Sequence, residues 1–395
     1  MKEKLIIKNF GPIKEIDLDL GRFTILIGEQ ATGKSTVAKV LAMCRYFSYL
    51  IEDLNELNDD PFFEGFKGWG LNESVQNNSY LNYQCSNYSL VAAFVNKPWL
   101  NLDTNLMEVV PVFKVHINGR SNNFNRLLNE YKKIRDGFSL NDFSVPFRFF
   151  QNDVKSVMDN PFYLPAQRGL QSIFSLGKNS INNLSDSLFN QLARMDQIAR
   201  MFKTETYIEP LDIYYVNRDG HGFIRKANET EFYSLYNAAS GYQSAIPIVL
   251  VFKYYTDIRK RKKTFIIEEP EQNLFPLAQN KLMQHLVEKA NSIGSSVFLA
   301  TQSPYILASI NNLIYAHNVG QLNAEPVNNI IEKKYWLNPV DVSAYRLLTN
   351  GTARNIIDED LREIIVEELD NAGKQMNDVY DKILDVKFGN IEKSE

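Results

Sequence analysis

The chain has 395 residues, 44% of them hydrophobic and 23% charged, the mix of an ordinary folded protein of two to three domains. Its 43 Lys and Arg against 47 Asp and Glu leave a net charge of −4, which excludes a global positive field for nucleic acid and leaves only local patches. Two cysteines, Cys44 and Cys85, exclude a disulfide framework and a four-cysteine zinc site and fit a reducing compartment.

The opening Met1-Lys2-Glu3-Lys4-Leu5-Ile6-Ile7 is too short in apolar residues and too charged for a signal peptide. The longest clean apolar run, Ala245 to Phe252, is about half of a membrane span. Together they predict a cytoplasmic protein with no membrane contact. Residues 4–27 alternate apolar and polar in runs split at Asn9-Phe10-Gly11-Pro12 and Leu20-Gly21-Arg22, which predicts a small antiparallel sheet. The last run, Phe23 to Ile27, is nearly all apolar and is expected to be buried on both faces. A helix is predicted from Lys34, with Val37, Val40, Leu41 and Cys44 on one buried side.

Residues 50–80 turn polar, with anchoring aromatics, and read as an exposed insertion. A strand is expected over Glu108–Asn118, while 122–160 give no clear period. The remaining chain predicts a helical stretch over Leu170–Lys203 and a hairpin over Ile213–Lys226 turning at Asn217-Arg218-Asp219-Gly220. Next come a helix over Ala245–Tyr255, a buried strand over Thr264–Ile267, a helix over Pro276–Ser292 and a buried strand over Ser296–Ala300. From 330 onward the chain reads as a polar, helical tail, with the acidic run Asp358-Glu359-Asp360 as a helix start. His116, His221, His285 and His317 show no metal-ligand spacing.

Two segments suggest chemistry. Gly28-Glu29-Gln30-Ala31-Thr32-Gly33-Lys34-Ser35 fits G-x-x-x-x-G-K-[ST], between a buried strand and a helix. Such a loop aims backbone N–H groups at a β-phosphate, its lysine reaches the β and γ oxygens, and the Ser35 hydroxyl ligates Mg²⁺. Thr36 follows at the helix start. The second segment is Thr264-Phe265-Ile266-Ile267-Glu268-Glu269-Pro270-Glu271, a buried strand ending in acids. Glu268 is the expected metal-side carboxylate and Glu269 the expected base for the attacking water. Glu271 is open between a structural and a functional role. Arg259-Lys260-Arg261-Lys262-Lys263 is the sharpest basic run. It is expected at the sheet end away from the phosphate loop, either as a solvated loop or against nucleic acid or an acidic partner.

Lys8-Asn9-Phe10-Gly11-Pro12-Ile13, the phosphate loop and Ile267-Glu268-Glu269-Pro270-Glu271-Gln272-Asn273-Leu274-Phe275-Pro276 resemble ABC-type AAA ATPase heads of the SMC, RecF and OLD group. Tyr163-Leu164-Pro165-Ala166-Gln167-Arg168-Gly169 resembles the LPAxR segment of that group. Asn237-Ala238-Ala239-Ser240-Gly241-Tyr242-Gln243-Ser244 resembles its signature loop, and Ala300-Thr301-Gln302-Ser303-Pro304-Tyr305 its switch loop. Gln302 stands where the group usually has histidine, and Gln30-Ala31 where it often has Asn-Gly. The glutamine of the group's Q-loop has no assigned position here.

The resemblance implies an α/β, P-loop ATPase head that binds and hydrolyses ATP with Mg²⁺ as a head-to-tail homodimer. Each nucleotide would lie between one copy's phosphate loop and the Ser240-Gly241 turn of the other. The implied organisation is head (1–49), helical and aromatic insertion lending strands to the head (50–160), head (161–330) and helical tail (331–395). It also implies a sensor or scaffold for a separately encoded nuclease or toxin, as in stand-alone ATPases of Septu and PARIS anti-phage systems. The alternative is a RecF-like, ATP-dependent DNA clamp.

Overall fold

The computed structural model describes residues 3–50, 68–85, 88–98, 107–117, 161–169 and 185–365. The chain opens with the antiparallel strands β1 (Glu3–Phe10) and β2 (Ile13–Leu20), then β3 (Phe23–Gly28) and helix α1 (Lys34–Leu50). The strands β4 (Val75–Gln84), β5 (Tyr88–Pro98) and β6 (Met107–Ile117) complete a five-stranded sheet in the order β2-β1-β4-β5-β6. What is described of 68–117 is thus mostly strand, added to an edge of the first hairpin. Residues 118–160, with the weak basic run Lys132-Lys133-Ile134-Arg135, lie outside the described residues, as does 170–184 of the expected helical stretch.

The chain resumes with β7 (Phe162–Leu164) and helix α2 (Asp186–Ala199). The strands β8 (Thr206–Ile208), β9 (Ile213–Arg218), β10 (His221–Lys226) and β11 (Tyr233–Ser234) form a second antiparallel sheet. Its β9–β10 hairpin turns at Asp219-Gly220, as the sequence predicts, and both residues have positive φ. Helix α3 (Ser240–Lys253) starts five residues before the apolar run that announced it and ends in a π-type turn, Tyr254–Ile258. Then come β12 (Thr264–Glu268), α4 (Pro276–Ile293), β13 (Ser296–Thr301), α5 (Pro304–Gly320), β14 (Val342–Leu347) and β15 (Ala353–Asn355).

The central sheet has the order β15-β14-β3-β13-β12-β7, parallel from β14 to β7. Alternate residues feed two separate cores. Phe23, Ile25, Ile27, Phe265, Ile267, Val297 and Leu299 pack with α2 to α5. Leu26, Ile266, Phe298 and Ala300 pack with α1 and the β1–β2 sheet. Burial on both faces explains the near-continuous apolar runs of β3, β12 and β13. Parallel order puts the C-terminal ends of β3, β12 and β13 on one edge, where α/β sheets place their ligands.

The expected helical tail is corrected over 331–365. Val342, Ala344 and Leu347 are buried between more exposed neighbours, and β14 lies directly beside β3. A strand's period of two was hidden by the polar average of the segment. Asp358-Glu359-Asp360 forms a turn and not a helix start, because the Asp358 carboxylate accepts the N–H of Asp360 (2.9 Å) and Leu361 (2.8 Å). No helix among the described residues is long and apolar enough to cross a membrane.

Candidate functional site

The loop from Gly28 to Lys34 turns over the C-terminal edge of the central sheet. Ala31 (φ 61°) and Gly33 (φ 102°) take left-handed backbone. At Gly33 a Cβ would stand 2.5 Å from Ile13 Cδ1 and 2.9 Å from Pro12 Cγ, so the loop is seated on the β1–β2 turn and admits glycine alone. The Thr32 hydroxyl donates to the Glu29 carbonyl (2.9 Å), and the Val37 N–H bonds the Gly33 carbonyl (2.9 Å) to open α1. The N–H groups of Gln30, Ala31, Thr32 and Gly33 donate to no acceptor among the described residues. Unspent donors at a helix start form a natural anion cradle.

Lys34 is buried, and its ammonium donates to the carbonyls of Gly28 (2.7 Å) and Glu29 (2.6 Å). Burial lowers its pKa from the ordinary lysine value, against the pull of the Glu269, Glu271, Glu268 and Glu29 carboxylates. The parallel pairing of β3, β13 and β12 brings Glu268 and Glu269 to the same sheet edge as this ammonium. Ser35 is exposed at the first turn of α1, with Thr36 half-buried behind it.

Glu268 ends β12 and is 3% exposed. One carboxylate oxygen accepts the Tyr163 hydroxyl (2.7 Å), and the other faces the Ala166 N–H (3.4 Å). Burial, followed by the neighbouring Glu268 charge, raises the Tyr163 phenol well above its usual pKa, so it stays a donor. Glu269 follows in left-handed backbone (φ 44°), its N–H held by the Ala300 carbonyl (2.7 Å). That conformation costs a side-chain-bearing residue on the order of 1–3 kcal/mol and turns the carboxylate away from the strand. Gln302, exposed just beyond β13, donates its side-chain amide to Glu269 Oε1 (2.9 Å) and its backbone N–H to Glu271 Oε1 (2.7 Å). The other Glu271 oxygen is buried without a hydrogen-bond partner among the described residues.

The Ser240-Gly241 turn starts α3 beside the loop that follows Glu269. A Cβ on Gly241 would lie 2.7 Å from the Asn273 carbonyl oxygen. The Gln243 amide ties the turn down by donating to the carbonyls of Tyr236 and Ala238, both at 2.9 Å. Ser240 is exposed, and its N–H and that of Gly241 donate to no acceptor among the described residues. Among the described residues no hydrogen bond joins this turn to its own phosphate loop. The run Arg259–Lys263 lies before β12, at the opposite sheet end, as expected. Arg259 is stacked on the Tyr254 ring, and Lys260, Arg261 and Lys262 are exposed.

Two residues of the loop after β7 had no role assigned from sequence. Gln167 is exposed one position beyond Ala166, whose N–H meets Glu268. The signal was present in Leu164-Pro165-Ala166-Gln167-Arg168, but only the pairing of β7 with β12 brings that loop to the Glu268 end of β12. Arg168 is fully buried and donates to four backbone carbonyls, as detailed below.

Unspent N–H groups, a buried ammonium and an orphaned carboxylate oxygen at one sheet edge fit a nucleoside triphosphate with its divalent cation. The donor set combines the Ser35 hydroxyl and Glu268 carboxylate, oxygen ligands suited to Mg²⁺. Fold and site together define a P-loop ATPase head. The family model of the AAA ATPase domain matches residues 1–64 and 125–307, more than half of the chain, and the chain belongs to that family. It is an ATP-hydrolysing enzyme.

Among curated proteins the chain is similar to the OLD nuclease of Thermus scotoductus (strain ATCC 700910 / SA-01), 23% identical over 345 residues. That match covers 79% of this chain and 60% of the relative's length. Among solved structures it is similar to the SMC head domain from Thermotoga maritima, with a TM-score of 0.39 and 12% identity over 90% of this chain and 98% of that one. It is also similar to the recombination mediator protein RecF-ATPrS, with a TM-score of 0.35 and 11% identity over 90% and 98%.

Proposed function

We propose that this ATPase works in the cytoplasm as a self-associating head whose nucleotide-dependent closure controls a separately encoded effector, a nuclease or toxin, in bacterial anti-phage defence. Each ATP is held between one copy's phosphate loop and the Ser240-Gly241 turn of another copy. The observation that supports this is the gathering of Lys34, Glu268, Glu269 and Gln302 at one sheet edge, while the N–H groups of Ser240 and Gly241 donate to no acceptor among the described residues.

Gly28, Glu29, Gln30, Ala31, Thr32 and Gly33 form the phosphate cradle, Lys34 neutralises the β and γ oxygens, and Thr36 closes the helix start behind them. Ser35 and Glu268 hold Mg²⁺, which when bound supplies charge neutralisation to the phosphates. Glu269 orients the attacking water and takes its proton, and Gln302 fixes the Glu269 carboxylate. Glutamine takes up no proton near neutral pH, so turnover is slow.

Phosphate release by wild type and Glu269→Gln tests the chemistry. The variant is expected to be slower by about 10²–10³, the loss typical of one charge-stabilising group. Equal rates overturn the assignment of the base. Light scattering with and without ATP tests the shared site: a mass that does not change with nucleotide overturns it. The effector reading rests on the similarity to a nuclease, and the proteins that copurify with the tagged chain test it. The exposed Lys260, Arg261 and Lys262 form no ion pair among the described residues, which favours a second reading, a RecF-like DNA clamp. That reading requires ATP-dependent DNA binding that weakens steeply with salt in a gel shift at two salt concentrations.

A further inference from the structure

Arg168 is the largest side chain fully withdrawn from solvent among the described residues, and it touches no carboxylate in an ion pair there. Its guanidinium spends its donors on backbone carbonyls. Nε donates to Ser244 (2.7 Å), one terminal nitrogen to Pro165 (3.1 Å) and Glu268 (2.7 Å), and the other to Glu269 (2.5 Å). Burying a cation this way is expensive, and a packed apolar residue would fill the space at lower cost. What the arginine adds is geometry, because a planar fork fixes several acceptors at once where an ammonium cannot.

The acceptors belong to three separate pieces of the site. Pro165 lies in the loop after β7, which also presents Gln167. Glu268 and Glu269 are the carboxylate pair, and the carbonyl of Glu269 belongs to the residue in left-handed backbone. Ser244 lies in the first turns of α3, one turn beyond Ser240 and Gly241. A second strut runs parallel to it, since the Asn273 amide donates to the Ser244 hydroxyl (3.2 Å). The Gly241 Cα also sits too close to the Asn273 carbonyl for any side chain. A shift of the α3 start therefore pulls on the carbonyls that hold Glu269 in its unusual backbone.

The geometry points to Arg168 as a positioning residue that couples the Ser240-Gly241 turn to the carboxylate pair, so that a phosphate docked on that turn by a neighbouring copy sets the Glu269 carboxylate of the receiving copy. This rests on the shared-nucleotide reading above and adds to it a direction of communication, from the turn, through one side chain, to the base of the same copy's own site. The two sites of a pair then fire in concert and not independently.

The test uses the full chain and a non-hydrolysable ATP analogue. In wild type, hydrogen exchange is expected to slow on analogue binding in the phosphate loop, at 240–244 and at 268–274 together. In Arg168→Lys, which keeps the charge and loses the fork, protection is expected in the phosphate loop with less than half of the wild-type protection at 268–274. Its analogue affinity should stay within about threefold, its kcat for phosphate release should fall at least tenfold, and the sigmoidal dependence of rate on ATP should flatten. Guanidinium added to Arg168→Ala is expected to restore part of the kcat. Unchanged kcat and unchanged joint protection in a folded Arg168→Lys overturn the proposal. So does a loss of affinity and kcat in proportion to a lowered melting temperature, with no rescue by guanidinium. Should Arg168→Lys fail to fold, Asn273→Gly decides, because that residue is exposed and its left-handed backbone (φ 59°) suits glycine without strain. A two- to fivefold loss of kcat at constant affinity supports the coupling, and no change overturns it. The exchange pattern is read without hydrolysis, so a wrong assignment of Glu269 as base leaves this test intact.

Discussion

The two ends of the central sheet handle polar groups in opposite ways. At the N-terminal ends of its strands the buried and half-buried charges pair off, while Lys260, Arg261 and Lys262 stay in solvent. Arg22 donates twice to Asp341 (3.0 and 2.9 Å) and once to Asn291 (2.7 Å). Lys253 pairs with Glu209 (2.8 Å), and Lys289 with Asp257 (2.9 Å). His285, packed beside them, is kept neutral by burial, with a pKa lowered to about 4, and its Nε2 is buried with no hydrogen-bond partner among the described residues. At the C-terminal ends the same kinds of groups are gathered and then left with unused bonding capacity. Residues in strained backbone, Ala31 and Glu269, hold them there. Most polar groups at the first end are paired within the fold, whereas the second end gathers several open N–H groups and a carboxylate oxygen around one buried ammonium.

Substitutions at the two ends should therefore separate stability from activity. Lys34→Ala is expected to have the largest effect, a loss of about 10²–10³ in phosphate release, or about 3–4 kcal/mol of barrier, with an unchanged melting temperature. Steady-state phosphate release beside a thermal melt checks both halves. Gly33→Ala breaks the rule in an informative way, because the loop itself is the packed element. The clash with Ile13 and the backbone at φ 102° should cost roughly 2–3 kcal/mol of stability and nucleotide binding together, read by urea melts and by fluorescent-analogue titration.

At the other end the expected effects are on stability alone. The unfolded His285 ring titrates near 6.5 and the folded one near 4, so the unfolded chain binds more protons between those values. Stability is fully present above the unfolded value and is lost as pH falls toward the folded one. By pH 5 the loss should reach about 2 kcal/mol. Urea melts at pH 7 and pH 5 should show that His285→Leu removes this slope and leaves phosphate release at pH 7 unchanged. The smallest effect belongs to Asp341→Ala, which frees the half-buried Arg22 head and should cost about 1 kcal/mol in the same melts.

The same contrast governs what the sequence discloses. The phosphate loop is legible because its chemistry needs fixed residue types at a fixed local spacing. The strands β3, β12 and β13 are legible because burial on both faces leaves unbroken apolar runs. β14 is not, since its small Ser343 and Ala344 and its polar Arg346 dilute the pattern, and its reason to be a strand is a partner near the other end of the chain. The role of Arg168 is hidden for a related reason. All four of its acceptors are backbone carbonyls, which leave no trace in residue type.

The neighbour relation of β3 and β14 also bears on how the molecule is made. A ribosome delivers β3 by residue 28, yet the strand that covers its outer flank spans Val342–Leu347. Until β14 is made, the strand leading into the nucleotide loop has an open flank of amides, exposed to pairing with other chains. Such distant closure folds slowly and leaves the incomplete sheet open to aggregation. A nascent chain that lacks β14 thus has an incomplete sheet beside the nucleotide loop, so ATP turnover waits for that strand.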